Sequence, residues 1–245
     1  MNDKKKKHHR LKIVLIAIFS LIIVMAGAFL IYTADYYSAQ SDALAIVGSD
    51  PAVDIIDGGI AFGNSSASNG FIFYPGGKVE YTAYAPLMKS LSEHDIFCVV
   101  VKMPFNLAVL NSNAASGIIA RFPEVQNWMI GGHSLGGVMA ADFAVKNTDR
   151  ISGLVLLASY PATDLSQSKL SVLSIYGSQD QVLDISKLDE AKALMPADFT
   201  ELIISGGNHG QFGDYGLQAG DGTATVSVNQ QLKQTVEAIL NLVQK

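Results

Sequence analysis

The sequence predicts an α/β fold, a three-layer α/β/α sandwich around a mostly parallel central sheet, preceded by one membrane-spanning helix. Three observations carry this. Short runs that are apolar throughout, such as Ile96–Val101 (IFCVVV), alternate with longer segments of helical spacing. A run of 19 uncharged residues, 13–31, stands behind a lysine cluster at the N-terminus. Between the apolar run 128–130 and the helical segment Leu135–Lys146 lies a glycine-rich turn with a serine at its apex.

The N-terminal segment comes first. Residues 1–12 carry six lysines and arginines against Asp3, a net charge of +5, and read as a basic cytoplasmic tail. Residues 13–31 (IVLIAIFSLIIVMAGAFLI) would span about 28 Å as a helix, close to the hydrocarbon thickness of a bilayer. The run exceeds the usual length of a signal-peptide core, which favours an uncleaved transmembrane signal anchor. Ala26-Gly27-Ala28 offers a small-x-small cleavage site, so secretion after cleavage is the alternative. Either way, the lysines stay inside and the rest of the chain is extracytoplasmic. Tyr32, Tyr36 and Tyr37 fall where an interfacial aromatic belt belongs.

Residues 32–51 read as a connector, and 52–245 as one domain of ordinary size. Within that domain 53–62 reads as a strand, 63–70 as a turn, and 71–74 as a second strand returning beside the first. Helical spacing at 81–91 precedes the buried strand Ile96–Val101, and 106–122 is helical again. The strand 128–130 and the helix Leu135–Lys146 follow, then strands at 154–158 and 172–176. A helix at 185–194, a strand at 201–204 and an amphipathic helix Val228–Val243 close the chain.

Charge and cysteine content exclude some functions. The whole chain carries −5, so residues 13–245 carry −10 and have no basic face for a phosphate backbone; no nucleic-acid partner is expected. The single Cys98 can form no intramolecular disulfide, and its apolar neighbours Phe97 and Val99 mark it as a buried strand residue rather than a reactive thiol.

Gly132-His133-Ser134-Leu135-Gly136 follows a strand and opens a helix, the context in which GxSxG forms a nucleophile elbow. Glycine is needed on both flanks because the sharp turn brings neighbouring main chain close. The serine Oγ then stands at a helix N-terminus, where developing negative charge is favoured. Of five histidines, His8 and His9 lie in the tail, His94 in a polar turn, and His133 inside the elbow, pointing away from the serine's side. His209 remains, just after the last strand, as the base that accepts the Ser134 proton and returns it to the leaving group.

An orienting carboxylate is expected between serine and histidine in sequence. Asp180, in the turn after strand 172–176, is preferred for holding the imidazole in its working tautomer. Asp164, after the preceding strand, and Asp184, which suits a helix cap, are the rivals. Two N–H donors are needed for the oxyanion. Leu135 supplies one; Gly77 in Tyr74-Pro75-Gly76-Gly77 supplies the other, with Gly76 as the alternative.

With YPGG, GGHSLGG, YGSQD and GGNHGQFGDYG in this order, the chain resembles the α/β-hydrolase family over roughly residues 52–243. It is most similar to the small, lid-poor branch of dienelactone-hydrolase-like and carboxylesterase-like proteins, although dienelactone hydrolases proper use a cysteine nucleophile. The resemblance implies hydrolysis of an ester, thioester or similar acyl compound through an acyl-enzyme, with no cofactor and no metal. The short 160–170 segment leaves no room for a large lid, so a small-molecule or surface-accessible acyl substrate is expected. Gln211, Phe212, Asp214 and Tyr215 either line the site or form a structural turn. An acyltransferase would use the same triad, and a non-catalytic binding domain on the same scaffold is a third possibility.

Overall fold

A computed structural model describes residues 2–244; Met1 and Lys245, the outermost residues of the expected tail and domain, lie outside the described residues. The chain divides into two compact units, Met1–Tyr36 and Tyr37–Lys245.

The first unit is one helix, α1 (Asn2–Ala34), which extends beyond the expected 13–31 span at both ends. Apolar residues, isoleucine foremost, dominate it beyond Lys12, it lacks proline, and Thr33 Oγ1 donates to the carbonyls of Phe29 and Leu30. Its Lys6–Ala34 portion, in which an 18-residue stretch has a mean hydropathy of 3.0, is long and apolar enough to cross a membrane.

The second unit holds an eight-stranded sheet. Its strands are β1 (Val53–Ile56), β2 (Gly59–Phe62), β3 (Asn69–Tyr74), β4 (Ile96–Val101), β5 (Asn127–His133), β6 (Ile151–Leu157), β7 (Ser171–Gly177) and β8 (Phe199–Ile204). Their spatial order is β1-β2-β4-β3-β5-β6-β7-β8. The β1–β2 and β2–β4 pairs are antiparallel, and every other pair is parallel. The helices are α2 (Ser41–Ser49), α3 (Ala85–Ser92), α4 (Ala115–Arg121), α5 (Leu135–Lys146), α6 (Ile185–Ala191) and α7 (Val228–Val243).

Alternation along the buried strands sorts side chains onto two faces. Phe71, Phe73, Cys98 and Val100 pack with Leu87, Met88 and Leu91 of α3 and with Val236 and Ile239 of α7. Ile72, Tyr74, Val99 and Val101 pack instead with Ile118 of α4 and with Ala140, Phe143 and Ala144 of α5. These are the outer layers of the sandwich, and each fully buried aliphatic or aromatic side chain contributes about 1.5–3 kcal/mol. Cys98 is buried in the first core, and burial pushes its thiol pKa well up, so it stays protonated and inert.

Three expectations need correction. The run 53–62 is not one strand: Asp57-Gly58, with Gly58 at φ +88°, folds it into the β1–β2 hairpin, in which Ile56 faces Gly59. The strand at 71–74 does not return beside it, because β4 inserts between β2 and β3. The connector 32–51 contains α2, whose Ala43 is fully buried and whose entry is fixed by two bonds to Asp214. Gln40 N–H donates to the Asp214 carbonyl at 2.8 Å, and Ala43 N–H donates to Asp214 Oδ2 at 2.8 Å. The carboxylate thereby caps α2 from a distant part of the chain.

Candidate functional site

Ser134 sits between β5 and α5 with φ +51° and ψ −122°, a backbone conformation costly for any residue with a side chain. Its surroundings hold it there. Its N–H donates to the Leu157 carbonyl at 2.9 Å, and its carbonyl accepts from Ser159 Oγ at 2.8 Å. The flanking glycines are required by space: a Cβ at Gly132 would overlap the Gly136–Gly137 main chain, and one at Gly136 would overlap the carbonyls of Tyr74 and Pro75. The first turn of α5 is thus pressed against the end of β3, beneath the serine.

Asp180 and His209 come from the loops after β7 and β8, at the carboxyl ends of those strands. Their side chains are buried, and His209 Nδ1 lies 2.9 Å from Asp180 Oδ2. The other carboxylate oxygen, Oδ1, accepts from Val182 N–H at 2.9 Å and Leu183 N–H at 2.8 Å, leaving Oδ2 for the imidazole. His209 Nε2 is buried with no hydrogen-bond partner among the described residues. Ser134 and His209 line one cavity of about 250 Å³, together with Leu135, Tyr160, Val182 and Leu183. A larger cavity of about 440 Å³, lined by Gln211, Asp214 and Asp221, includes neither Ser134 nor His209 in its walls.

The two rival acids stand elsewhere. Asp164 is solvent-exposed and accepts from the Ser166 N–H at 2.9 Å; hydrogen bonding from the Ser166 hydroxyl and then from its N–H lowers the Asp164 pKa. Asp184 caps α6 through the Lys187 N–H at 3.2 Å, and also lines the Ser134 cavity. Of the two glycines, Gly76 has its N–H engaged by Tyr84 Oη at 3.0 Å. A Cβ on Gly77 would fall 3.1–3.4 Å from the Leu135 side chain, so Gly77 and Leu135 are neighbours.

Several residues at the site had no signal of their own in the sequence. Asp221 accepts from His209 N–H at 3.2 Å and from Gly210 N–H at 2.8 Å. Gln231 of α7 clasps the main chain of Asn208 through both ends of its amide, at 3.0 and 2.8 Å. Together they pin the His209 loop from outside the cavity. His133, expected to point away from the serine's side, has its ring centroid 4.6 Å from that of His209. Its Nδ1 lies 2.9 Å from Tyr84 Oη, and Phe212 and Tyr215 pack against its ring at 5.8 and 6.3 Å. Burial and the neighbouring His209 both push the His133 pKa well down. Phe212 and Tyr215 thus brace His133, Asp214 caps α2, and Gln211 donates from Nε2 to the Val226 carbonyl at 3.3 Å.

A hydroxyl at a helix N-terminus, a buried imidazole and a carboxylate on its far nitrogen are the components of nucleophilic acyl chemistry. Comparison with known proteins bears on this arrangement. No curated protein sequence matches the chain. Among solved structures it is similar to a predicted CIB-like hydrolase from Thermoplasma acidophilum, at 15% identity and a TM-score of 0.56, over 77% of this chain and 96% of that one. It is similar to Est1E from Butyrivibrio proteoclasticus at 14% identity and a TM-score of 0.57, over 79% of this chain and 98% of that one. It is also similar to a membrane phospholipase A described as a bacterial virulence factor, at 12% identity and a TM-score of 0.59, over 95% and 98% of the two chains. These likenesses establish the fold. The sequence model of the alpha/beta hydrolase family matches residues 70–233, a span that runs from β3 into α7 and contains Ser134, Asp180 and His209. The chain belongs to the α/β-hydrolase family.

Proposed function

We propose that this hydrolase cleaves an ester or related acyl bond through an acyl-enzyme, with Ser134 as nucleophile, His209 as general base and acid, and Asp180 orienting the imidazole. The observation that carries this is the polarity of His209. One ring nitrogen is held by Asp180 at 2.9 Å, and the other is buried without a partner among the described residues, beside the cavity that Ser134 lines.

In the forward step Ser134 Oγ attacks the acyl carbon while its proton passes to His209 Nε2. The tetrahedral oxyanion accepts hydrogen bonds from the Leu135 and Gly77 N–H groups, aided by the N-terminal dipole of α5. Collapse expels the alcohol, which takes the proton from Nε2. Water then repeats the sequence on the acyl-serine and releases the acid. Removal of one such oxyanion donor in serine hydrolases costs about 10²–10³ in kcat. The apolar lining by Leu135, Val182 and Leu183 suits a small acyl substrate.

The neighbours' names are compatible with this class: Est1E is known with ferulic acid bound, and another neighbour is a membrane phospholipase A. We assign α1 the role of signal anchor, with the lysine cluster cytoplasmic and the hydrolase domain outside.

A fluorophosphonate probe tests the chemistry. The purified chain should be labelled, peptide mass should put the adduct on Ser134, and His209→Ala should lose it. A folded chain that takes no label would remove the serine-hydrolase assignment. Turnover with added acceptor alcohol separates hydrolysis, which yields free acid, from acyl transfer, which yields a new ester.

A further inference from the structure

The loop carrying Gly77 and the loop carrying His209 are joined through two fully buried side chains, Tyr84 and His133. Gly76 N–H donates to Tyr84 Oη at 3.0 Å, Tyr84 Oη lies 2.9 Å from His133 Nδ1, and the His133 ring lies against His209. The direction of these bonds follows from the groups themselves. A phenol carries one proton. One of the two lone pairs on that oxygen accepts from Gly76 N–H, and the arrangement that also gives the phenolic proton an acceptor sends it to His133 Nδ1, the bare nitrogen of a neutral imidazole. A protonated His133 would present N–H to Tyr84 Oη and leave the phenolic proton without an acceptor in a buried place.

We propose that Tyr84 and His133 are positioning residues: the chain from Gly76 through Tyr84 to His133 fixes the peptide before Gly77, aims the Gly77 N–H at the oxyanion, and seats a neutral ring against His209. This rests on the serine-hydrolase assignment above. The fit around Gly76 is close, since a Cβ there would come within 2.7 Å of His133 Nδ1 and 2.9 Å of Tyr84 Oη. Neutrality has its own use. His209 becomes an imidazolium in the transition state, and a second cation at a ring separation of 4.6 Å would oppose its formation. Desolvation by burial, and then repulsion from His209, hold His133 in the uncharged form.

The test uses the full-length chain in detergent, with p-nitrophenyl butyrate turnover and fluorophosphonate labelling read side by side, well below each variant's melting temperature. Tyr84→Phe keeps the ring and removes the shared oxygen. His133→Leu removes the acceptor, whereas His133→Asn restores an amide oxygen near the position of Nδ1. Tyr84→Phe and His133→Leu should each lower kcat about tenfold with KM within about twofold, part of the loss expected for a missing oxyanion donor. His133→Asn should recover to within about threefold of wild type, and the double variant Tyr84→Phe/His133→Leu should be no slower than either single variant. Wild-type kcat in Tyr84→Phe would overturn the proposal. So would a loss confined to KM, an Asn variant as slow as the Leu variant, or additive losses in the double variant. A wild-type chain inert to both ester and probe would overturn the underlying assignment, a result distinct from all of these.

Discussion

Two aspartates near the ends of adjacent strands differ in what their oxygens touch. Asp180 spends one oxygen on the amides of Val182 and Leu183 and the other on His209, all out of solvent. Asp164 is hydrogen-bonded to the nearby Ser166 and faces water. Asp180→Asn should therefore lower kcat by about 10³–10⁴, because an amide nitrogen opposite Nδ1 favours the wrong imidazole tautomer. Asp164→Asn should leave kcat within about twofold. Steady-state turnover of a soluble ester checks both, and the reverse ranking would move the orienting role to Asp164. The strand-end placement of the proposed Ser134, Asp180 and His209 was legible in the sequence because each ends or follows a local strand pattern, in the order the proposed chemistry uses. Tyr84, Asp221 and Gln231 were not, since each meets the site across 12 to 49 residues of chain through contacts that no local pattern encodes.

At the scale of elements, the strands with continuous apolar runs were read well: Ile96–Val101 and the helices Leu135–Lys146 and Val228–Val243 appear with the expected bounds. The closing helix also starts on a capping box between Ser227 and Gln230. What failed was non-local or punctuated by a weak signal. Pairing of β2 with β4 rather than β3 depends on how a crossover packs, and the Asp57-Gly58 turn was overlooked inside an apolar stretch. The polar composition of residues 34–40 hid α2, which is held by Asp214 and by a short apolar face of Ala43, Ile46 and Val47 packed on the core. The domain boundary moves accordingly. A chain beginning at Tyr37 keeps α2 and the pairing of Tyr37 with Val79. One beginning at residue 52 loses both and leaves Asp214 Oδ2 without its amide. The longer version should fold cooperatively, while the shorter should melt several degrees lower or precipitate. Equal melting temperatures would show that α2 adds nothing to the domain.

At the scale of the whole molecule, the chain joins two pieces with different surfaces. Residues 2–34 form a helix whose large apolar side chains, Ile16, Phe19 and Val24 among them, are exposed, the surface that the proposed signal anchor would turn to hydrocarbon. Residues 37–245 bury their apolar groups on the two faces of one sheet. Sheet and helices bring the ends of β5, β7 and β8 together, so three loops distant in sequence supply the three side chains of the proposed reaction.

The positive φ of Ser134 means that the proposed nucleophile is also a fault in the fold. A non-glycine residue held in such a region costs of order 1–3 kcal/mol, and the surrounding bonds to Leu157 and Ser159 absorb that cost. Glycine visits the region freely. Ser134→Gly should therefore raise the melting temperature above that of both wild type and Ser134→Ala while abolishing turnover, and a calorimetric comparison of the three would show it. If it does, this hydrolase is less stable than its own inactive relative by one substitution, and selection has kept the less stable form because only that form can react.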